Sequence, residues 1–275
     1  MLSIPNNENL PKFTSPPVIE TVISLQFSPL SDLTSAHVGW FWKKYLAEDW
    51  KTVNEAPCIT DQFERFGDER AWSPLGTGAV MLRTKPGLER IQILRADQQR
   101  MLQIQNSRFI LNWKKGVDSY PTYTVLKPEY LEHIKTYKQF LNESNGWSIN
   151  PNQWEITYVN HLLQGDLWSS LPDIKKLLPW IDLPTVSLFN PNADSYNCDI
   201  AFVIGDSLGR LHISLKYARL ESGKGQEVFV LNLTARGPIN KDIDYETGFD
   251  IGHAAIVQSF HDILSDYARD YFGRR

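Results

Sequence analysis

The chain has 275 residues, 42% hydrophobic and 22% charged, with a net charge of −4. That balance excludes a disordered polymer and supplies enough apolar surface for one large core or two half-sized ones. A pI near 5.9, without a clustered excess of Lys and Arg, argues against nucleic acid, whose phosphates need a basic face.

Nine Trp, eleven Tyr and thirteen Phe are the composition of a packed core together with a contact surface. No stretch approaches the ~20 apolar residues of a membrane span. The first ten residues hold neither a basic region nor a continuous apolar run, so no secretory leader is expected. Cys58 and Cys198 lie far apart without any metal-binding spacing, and read as buried thiols of a reducing compartment. A cytoplasmic location is the expectation.

In chain order, residues 1–15 are polar and proline-containing and read as a flexible arm. Val18 to Phe27 alternates and is rich in β-branched residues, which predicts a strand. From Leu33 to Trp50, Val38, Phe41, Trp42, Tyr45 and Leu46 recur at helical steps behind a Ser31 or Asp32 cap. Val53 to Thr77 mixes Pro and Gly and reads as an irregular insertion, with a short strand candidate from Ile59 to Phe66. Val80 to Arg83, Arg90 to Leu94, Met101 to Gln105 and Arg108 to Trp113 follow as a meander, and Lys127 to Ser144 as a helix with Pro128 in its first turn.

The second half repeats this order. Gln153 to Leu163 is a strand, Leu167 to Ile181 a helix, and Thr185 to Asn190, Cys198 to Ile204, Arg210 to Ala218 and Glu227 to Arg236 are strands joined by glycine turns. A closing helix spans Phe249 to Phe272. The expected fold class is therefore α+β: a duplicated β-α-β4-α unit, residues 16–148 and 149–275, closing as one body in which antiparallel sheets pack on long helices. The element order is similar to TATA-binding-protein-like and helix-grip folds. Two ferredoxin-like domains would need fewer strands.

The duplication nominates a polar set. Glu20 corresponds to Glu155, and Gln26 to His161 at the same offset, so each first strand carries a carboxylate and, six residues on, a hydrogen-bonding group on one face. If the two strands met, these two carboxylates and the imidazole could do acid–base work or hold a metal; otherwise they line a solvent face or hydrogen-bond neighbouring strands. Asn160, on the opposite face, either contacts a ligand or fixes a bulge. His253 and His261 stand eight residues apart, which is not the four-residue step of a helical metal pair, so no metal and no cofactor is expected. Arg108, Trp113, Tyr120, Tyr123 and Arg236 have the composition of an interface hot spot, unless Trp113 and the tyrosines pack the following helix.

The segments Pro16-Pro17-Val18-Ile19-Glu20, Arg108-Phe-Ile-Leu-Asn-Trp113, Tyr120-Pro-Thr-Tyr123 and Trp154-Glu-Ile-Thr-Tyr-Val-Asn-His-Leu162 carry a resemblance across nearly the whole chain. They resemble a sporadically distributed family of bacterial proteins without an assigned activity. The resemblance implies a bacterial protein of patchy distribution, in a defence or toxin–antitoxin setting, and carries over no catalytic residue. With no nucleophile, metal or phosphate motif, the expected function is a non-enzymatic binding or accessory protein acting through protein partners or self-association. The alternative is a small-ligand protein or enzyme with a cavity between sheet and long helix, worked by Glu20, Glu155 and His161.

Overall fold

Alternation decides the architecture. Along β1 (Val18–Phe27) the side chains of Ile23, Leu25 and Phe27 are buried, and along β6 (Pro151–Leu163) those of Trp154, Ile156, Tyr158, Asn160 and Leu162. The structure, a computed structural model, describes residues 9–67, 89–116, 120–182, 193–221 and 225–275. Among these residues the other strands are β2 (Trp50–Ala56), β3 (Arg90–Arg95), β4 (Arg100–Gln105), β5 (Arg108–Lys114), β7 (Asn197–Ile204), β8 (Gly209–Arg219) and β9 (Glu227–Pro238). The helices are α1 (Ser35–Tyr45), α2 (Tyr123–Asn145), α3 (Ile174–Leu177), α4 (Tyr245–Ile263) and α5 (Asp266–Tyr271).

All nine strands join one antiparallel sheet in the order β2-β3-β4-β5-β1-β6-β9-β8-β7, so the fold is α+β with a single large sheet. β1 and β6 form the middle pair, each bordered on its outer side by the last strand of its own half. The buried parity is continuous across strands: Leu25 faces Trp154, Ile156 faces Ala235, and Leu211 faces Ala235 from the other side. The long helices α2 and α4 cover this face. Phe109 stacks on Tyr137 of α2 at 5.0 Å, and Tyr130 of α2 meets Phe249 of α4 edge-on at 5.3 Å, which ties the two covers together.

The closest approach is built from glycines. Trp154 is fully buried, and Gly209, Gly237, Gly248 and Gly252 surround its ring. A Cβ on Gly252 would lie 2.8 Å from Cζ3 and one on Gly209 2.8 Å from Cζ2; at Gly248 and Gly237 it would fall closer still. Bare backbone at these positions lets α4 lie on the sheet with an indole between them.

Several expectations are corrected. Leu167 to Ile181 is not one helix but a single turn at Leu171–Asp173 followed by α3. Pro179 forbids helical backbone at Leu178, whose ψ is 86°, and Asp173 is drawn into accepting from the Ser169 and Ser170 amides. The closing helix breaks at Leu264, extended at ψ 146°, because Ser265 caps the separate α5 and donates to Lys176 O at 2.5 Å. The first helix stops at Tyr45, so Trp50 opens a strand; α2 starts at Tyr123 and takes Pro128 into its interior. Residues 9–15 are no loose arm: Thr14 N donates to Gly273 O at 2.9 Å and Arg275 N to Lys12 O at 2.9 Å. Cys58 and Cys198 are half-buried rather than buried. The expected strands Val80 to Arg83 and Thr185 to Asn190 lie outside the described residues. Among the described residues no helix is long and apolar enough to cross a membrane.

Candidate functional site

The sheet face turned away from α2 and α4 is polar. Glutamines and an asparagine on β3, β4 and β5 form a relay: Gln92 Nε2 donates to Gln103 Oε1 at 3.0 Å, Gln103 Nε2 to Asn112 Oδ1 at 2.6 Å, and Asn112 Nδ2 to Glu20 Oε1 at 2.6 Å. A second row, Gln105, Arg108, Gln26 and Gln153, runs beside it over β4, β5, β1 and β6. Both Gln26 and Arg108 are only 2% exposed.

What covers the second row is a stretch of the same chain. Residues 57–66 have no regular secondary structure and cross the strands as a strap. Three glutamines each hold it by backbone polar groups. Gln105 donates to Ile59 O and accepts from Ile59 N, both at 2.9 Å. Gln26 donates to Gln62 O at 3.0 Å and accepts from Gln62 N at 2.9 Å. Gln153 donates to Gln62 O at 2.6 Å and accepts from Glu64 N at 2.9 Å. A carboxamide offers one donor and one acceptor, as a neighbouring peptide group does, so the row serves the strap as a strand edge would. The path fits: five strand spacings from β4 to β8 are about 24 Å, and five extended residue steps from Ile59 to Glu64 are about 17 Å, side-chain reach supplying the rest.

The strap ends on an ion cluster. Glu64, its side chain 5% exposed, accepts from Arg236 Nε at 2.7 Å, lies 2.6 Å from His212 Nε2, and pairs with Arg210. Burial alone would raise the Glu64 carboxyl, but hydrogen bonds from His212 and Arg236 and their charges hold it down to about 2. Phe66 then lies over the Arg210 guanidinium, 4.9 Å from it. Arg236 also reaches Glu155 Oε2 at 3.2 Å. Arg108 donates to Gln26 Oε1 at 2.5 Å; its Nε makes no hydrogen bond among the described residues, the nearest Asp61 oxygen being 3.8 Å away.

The nominated residues thus divide. Gln26, Glu155, Arg108 and Arg236 meet under the strap. Glu20 and Glu155 do not meet: β1 and β6 pair antiparallel, Glu20 opposite Val159 and Glu155 opposite Ser24. His161 lies further along β6, its imidazole pKa lowered by burial and by Lys115. The five residues nominated as an interface form no outward patch, because Arg108, Trp113 and Tyr123 are buried while Tyr120 and Arg236 are half-buried. Sequence reasoning missed Glu64, Arg210, His212, Gln105 and Gln153. The available signal was the glutamines at positions of one parity on three strands.

Tyr120, Tyr123 and Asn160 belong to a second place, a cleft of about 680 Å³ on the helix-covered side between the 10–16 segment, β6 and α4. Its polar group is His253, 2.8 Å from the Tyr158 hydroxyl by Nδ1 and stacked on Tyr123 at 4.0 Å. Burial lowers His253 to about 4, against the opposing pull of Asp250, so the imidazole is neutral at pH 7. The Tyr158 hydroxyl is pushed well up, first by burial and then by Tyr120. A cavity between sheet and long helix therefore exists, and it is lined by Tyr158 and Asn160, one step out of phase with Glu155 and His161. Among the described residues no three His, Cys, Asp or Glu side chains are grouped to hold a metal ion.

No protein-family model matches this sequence, and no curated protein matches it.

Proposed function

We propose that this chain is a non-enzymatic binding protein that captures an extended polypeptide segment across the polar face of its sheet. The observation that carries this is the strap: three glutamines from three strands each bind backbone N–H and C=O groups of a segment lying across them. Such recognition asks little of the ligand's side chains and much of its extension. Under the strap, Glu64, Glu155 and His212 are tied into ion pairs, which suits holding better than proton transfer. A chain with residues 58–66 replaced by a Gly-Ser linker of equal length should bind a synthetic peptide of residues 57–67, carrying Cys58→Ser, at one-to-one stoichiometry by calorimetry. Absence of binding to that chain, folded by circular dichroism, ends the reading.

The duplication belongs to the same proposal. Reading outward from β1 and β6, each half presents its first strand, then its last, then the two before it, with β2 outermost in the first half, and in each half a long helix follows the last strand. A copied unit resembling the helix-grip or TATA-binding-protein-like arrangement accounts for that order. A bacterial, cytoplasmic protein of a defence or toxin–antitoxin locus rests on the sequence resemblance.

A second reading has its own observation, the Tyr158–His253 cleft, whose volume and aromatic lining suit a small apolar ligand with one hydrogen-bonding group. Quenching of tyrosine and tryptophan emission by a panel of such compounds, abolished by Val257→Trp, which fills the cleft from α4, but not by Glu64→Gln, would support it; a panel without any saturable quenching would remove it.

A further inference from the structure

Resting on the reading of the polar face as a segment-binding surface, we infer that Arg210, His212 and Arg236 form a subsite for a carboxylate side chain of the bound polypeptide, and that Glu64 fills it in cis as a competing ligand.

Three features carry this. Arg210 and Arg236 approach one Glu64 carboxylate from β8 and β9, and His212 reaches the same oxygen as Arg236. These three cationic or protonatable groups come from two neighbouring strands, so the pocket is built by the sheet and not by the strap. Glu64, by contrast, sits in a stretch with no ladder of its own, and Arg65 contributes only its backbone oxygen to Arg210 at 3.2 Å. Removing the strap would leave Arg210 and His212 without their carboxylate, while Arg236 would keep Glu155. With Arg236 already paired to Glu155, Arg210 and His212 are the groups left to receive an incoming carboxylate. The neighbouring glutamines fix where that carboxylate falls along the ligand: Gln153 binds the amide of the residue that bears it, Gln26 the residue two before. The partner is therefore an extended segment carrying an acidic residue at the Glu64 position and an aromatic one two places on, where Phe66 covers Arg210.

A cis ligand has an effective concentration in the millimolar range, so it masks the face from weak partners. The test uses the full-length chain, wild type and Glu64→Gln, with two fluorescent peptides of residues 57–67 carrying Cys58→Ser, one otherwise native and one with Glu64→Gln. Fluorescence polarisation should show the Glu64→Gln chain binding the native peptide at least tenfold tighter than the altered peptide, and the wild-type chain binding the native peptide at least tenfold more weakly than the variant chain does. Equal binding of both peptides to the variant chain overturns the carboxylate subsite while leaving segment binding intact. Equal binding of the native peptide to both chains overturns the competition in cis. Binding of neither peptide to a folded variant overturns this inference and the segment-binding reading together. Hydrogen exchange on the wild-type chain gives a measurement that no variant's folding can spoil: excess native peptide should speed exchange of the Ile59, Gln62 and Glu64 amides at least tenfold, and an unchanged rate overturns the inference.

Discussion

The two faces of the sheet are closed by opposite means. On one, α2 and α4 bury aromatic rings, and Trp154 sits in a socket of four glycines. On the other, a strap with no secondary structure is held by amide pairs and one ion cluster. Apolar burial scales with area, and an indole of 150–250 Å² is worth about 4–6 kcal/mol, so the helix cover cannot be exchanged without unfolding. Hydrogen bonds net only about 0.5–1.5 kcal/mol each because water replaces them when they break. A polar cover can be lifted while the sheet stays whole, which makes that face the one suited to exchange.

The comparison breaks first at Gly248. Gly248→Ala drives a methyl into the Trp154 ring, and should cost at least about 3 kcal/mol, a fall in Tm of about 6–12 °C for a chain of this size. Gly39 on α1 has nothing within 4 Å of where its Cβ would be, so Gly39→Ala should gain up to ~1 kcal/mol from helix propensity. Equal melting of the two variants would mean that Trp154 does not set the helix–sheet spacing. Combining Gly248→Ala with Trp154→Leu should recover part of the loss, as contacting residues couple.

Acid should weaken the two faces at different pH. His253 drops from its ordinary 6.5 to about 4 in the fold, so below pH 6.5 the unfolded chain takes a proton that the folded chain refuses. That stability is complete above pH 6.5 and lost as pH falls toward 4, by roughly 3 kcal/mol. Glu64 drops from 4.5 to about 2, so its share is complete above 4.5 and lost progressively as pH falls from there through 2. Denaturant titrations between pH 7 and 4 should show the decline, and His253→Phe should flatten it. Strap amides followed by hydrogen exchange should keep their protection relative to the core across that range.

The strands were legible because period two is written locally. Val18–Phe27 is a strand in both readings, and both readings assign the same parity to β6, where Trp154 and Ile156 share one side and Glu155 and Thr157 the other. Helix ends were less so: Ser265 competes with the helix through its own hydroxyl, a choice that pattern matching across Phe249 to Phe272 overrides. At the strap the irregular backbone was legible, the strand candidate from Ile59 to Phe66 is not a strand, and the path over the sheet was illegible. The strap's conformation comes from partners remote in sequence, Glu64 bonding Arg236 across a separation of 172 residues, so no period of its own marks it. The paired glutamates misled because a constant sequence offset says only which strands have similar patterns, whereas an antiparallel pairing of β1 with β6 reverses the order in which their side chains meet.

Glu64→Gln sharpens the comparison at the strap. It leaves Arg210 without its carboxylate at a site 13% exposed, and should cost about 2 kcal/mol locally, seen as loss of protection over residues 57–67 by limited proteolysis. The Tm should fall by no more than about 4 °C if the strap opens apart from the rest of the fold. A fall matching that of Gly248→Ala would mean that strap and core unfold as one, and the contrast between the faces would be lost.

The smallest effect is expected at Gln105, and its chemistry makes it the most specific. Its Nε2 donates to Ile59 O and its Oε1 accepts from Ile59 N, with a further bond from Nε2 to Ser107 Oγ at 3.1 Å. Gln105→Ala removes both bonds to the strap and should cost about 1 kcal/mol. Gln105→Glu keeps the acceptor for Ile59 N but turns a carboxylate oxygen toward Ile59 O, so a donor–acceptor pair becomes two facing acceptors at a buried position. The charge also falls beside Asp61, which accepts from Ser107 at 2.7 Å. Gln105→Glu should therefore loosen the Ile59 amide more than Gln105→Ala does, by a further factor of about ten in hydrogen exchange. The reverse order would mean that the side chain holds the strap by filling space and not by pairing with its backbone.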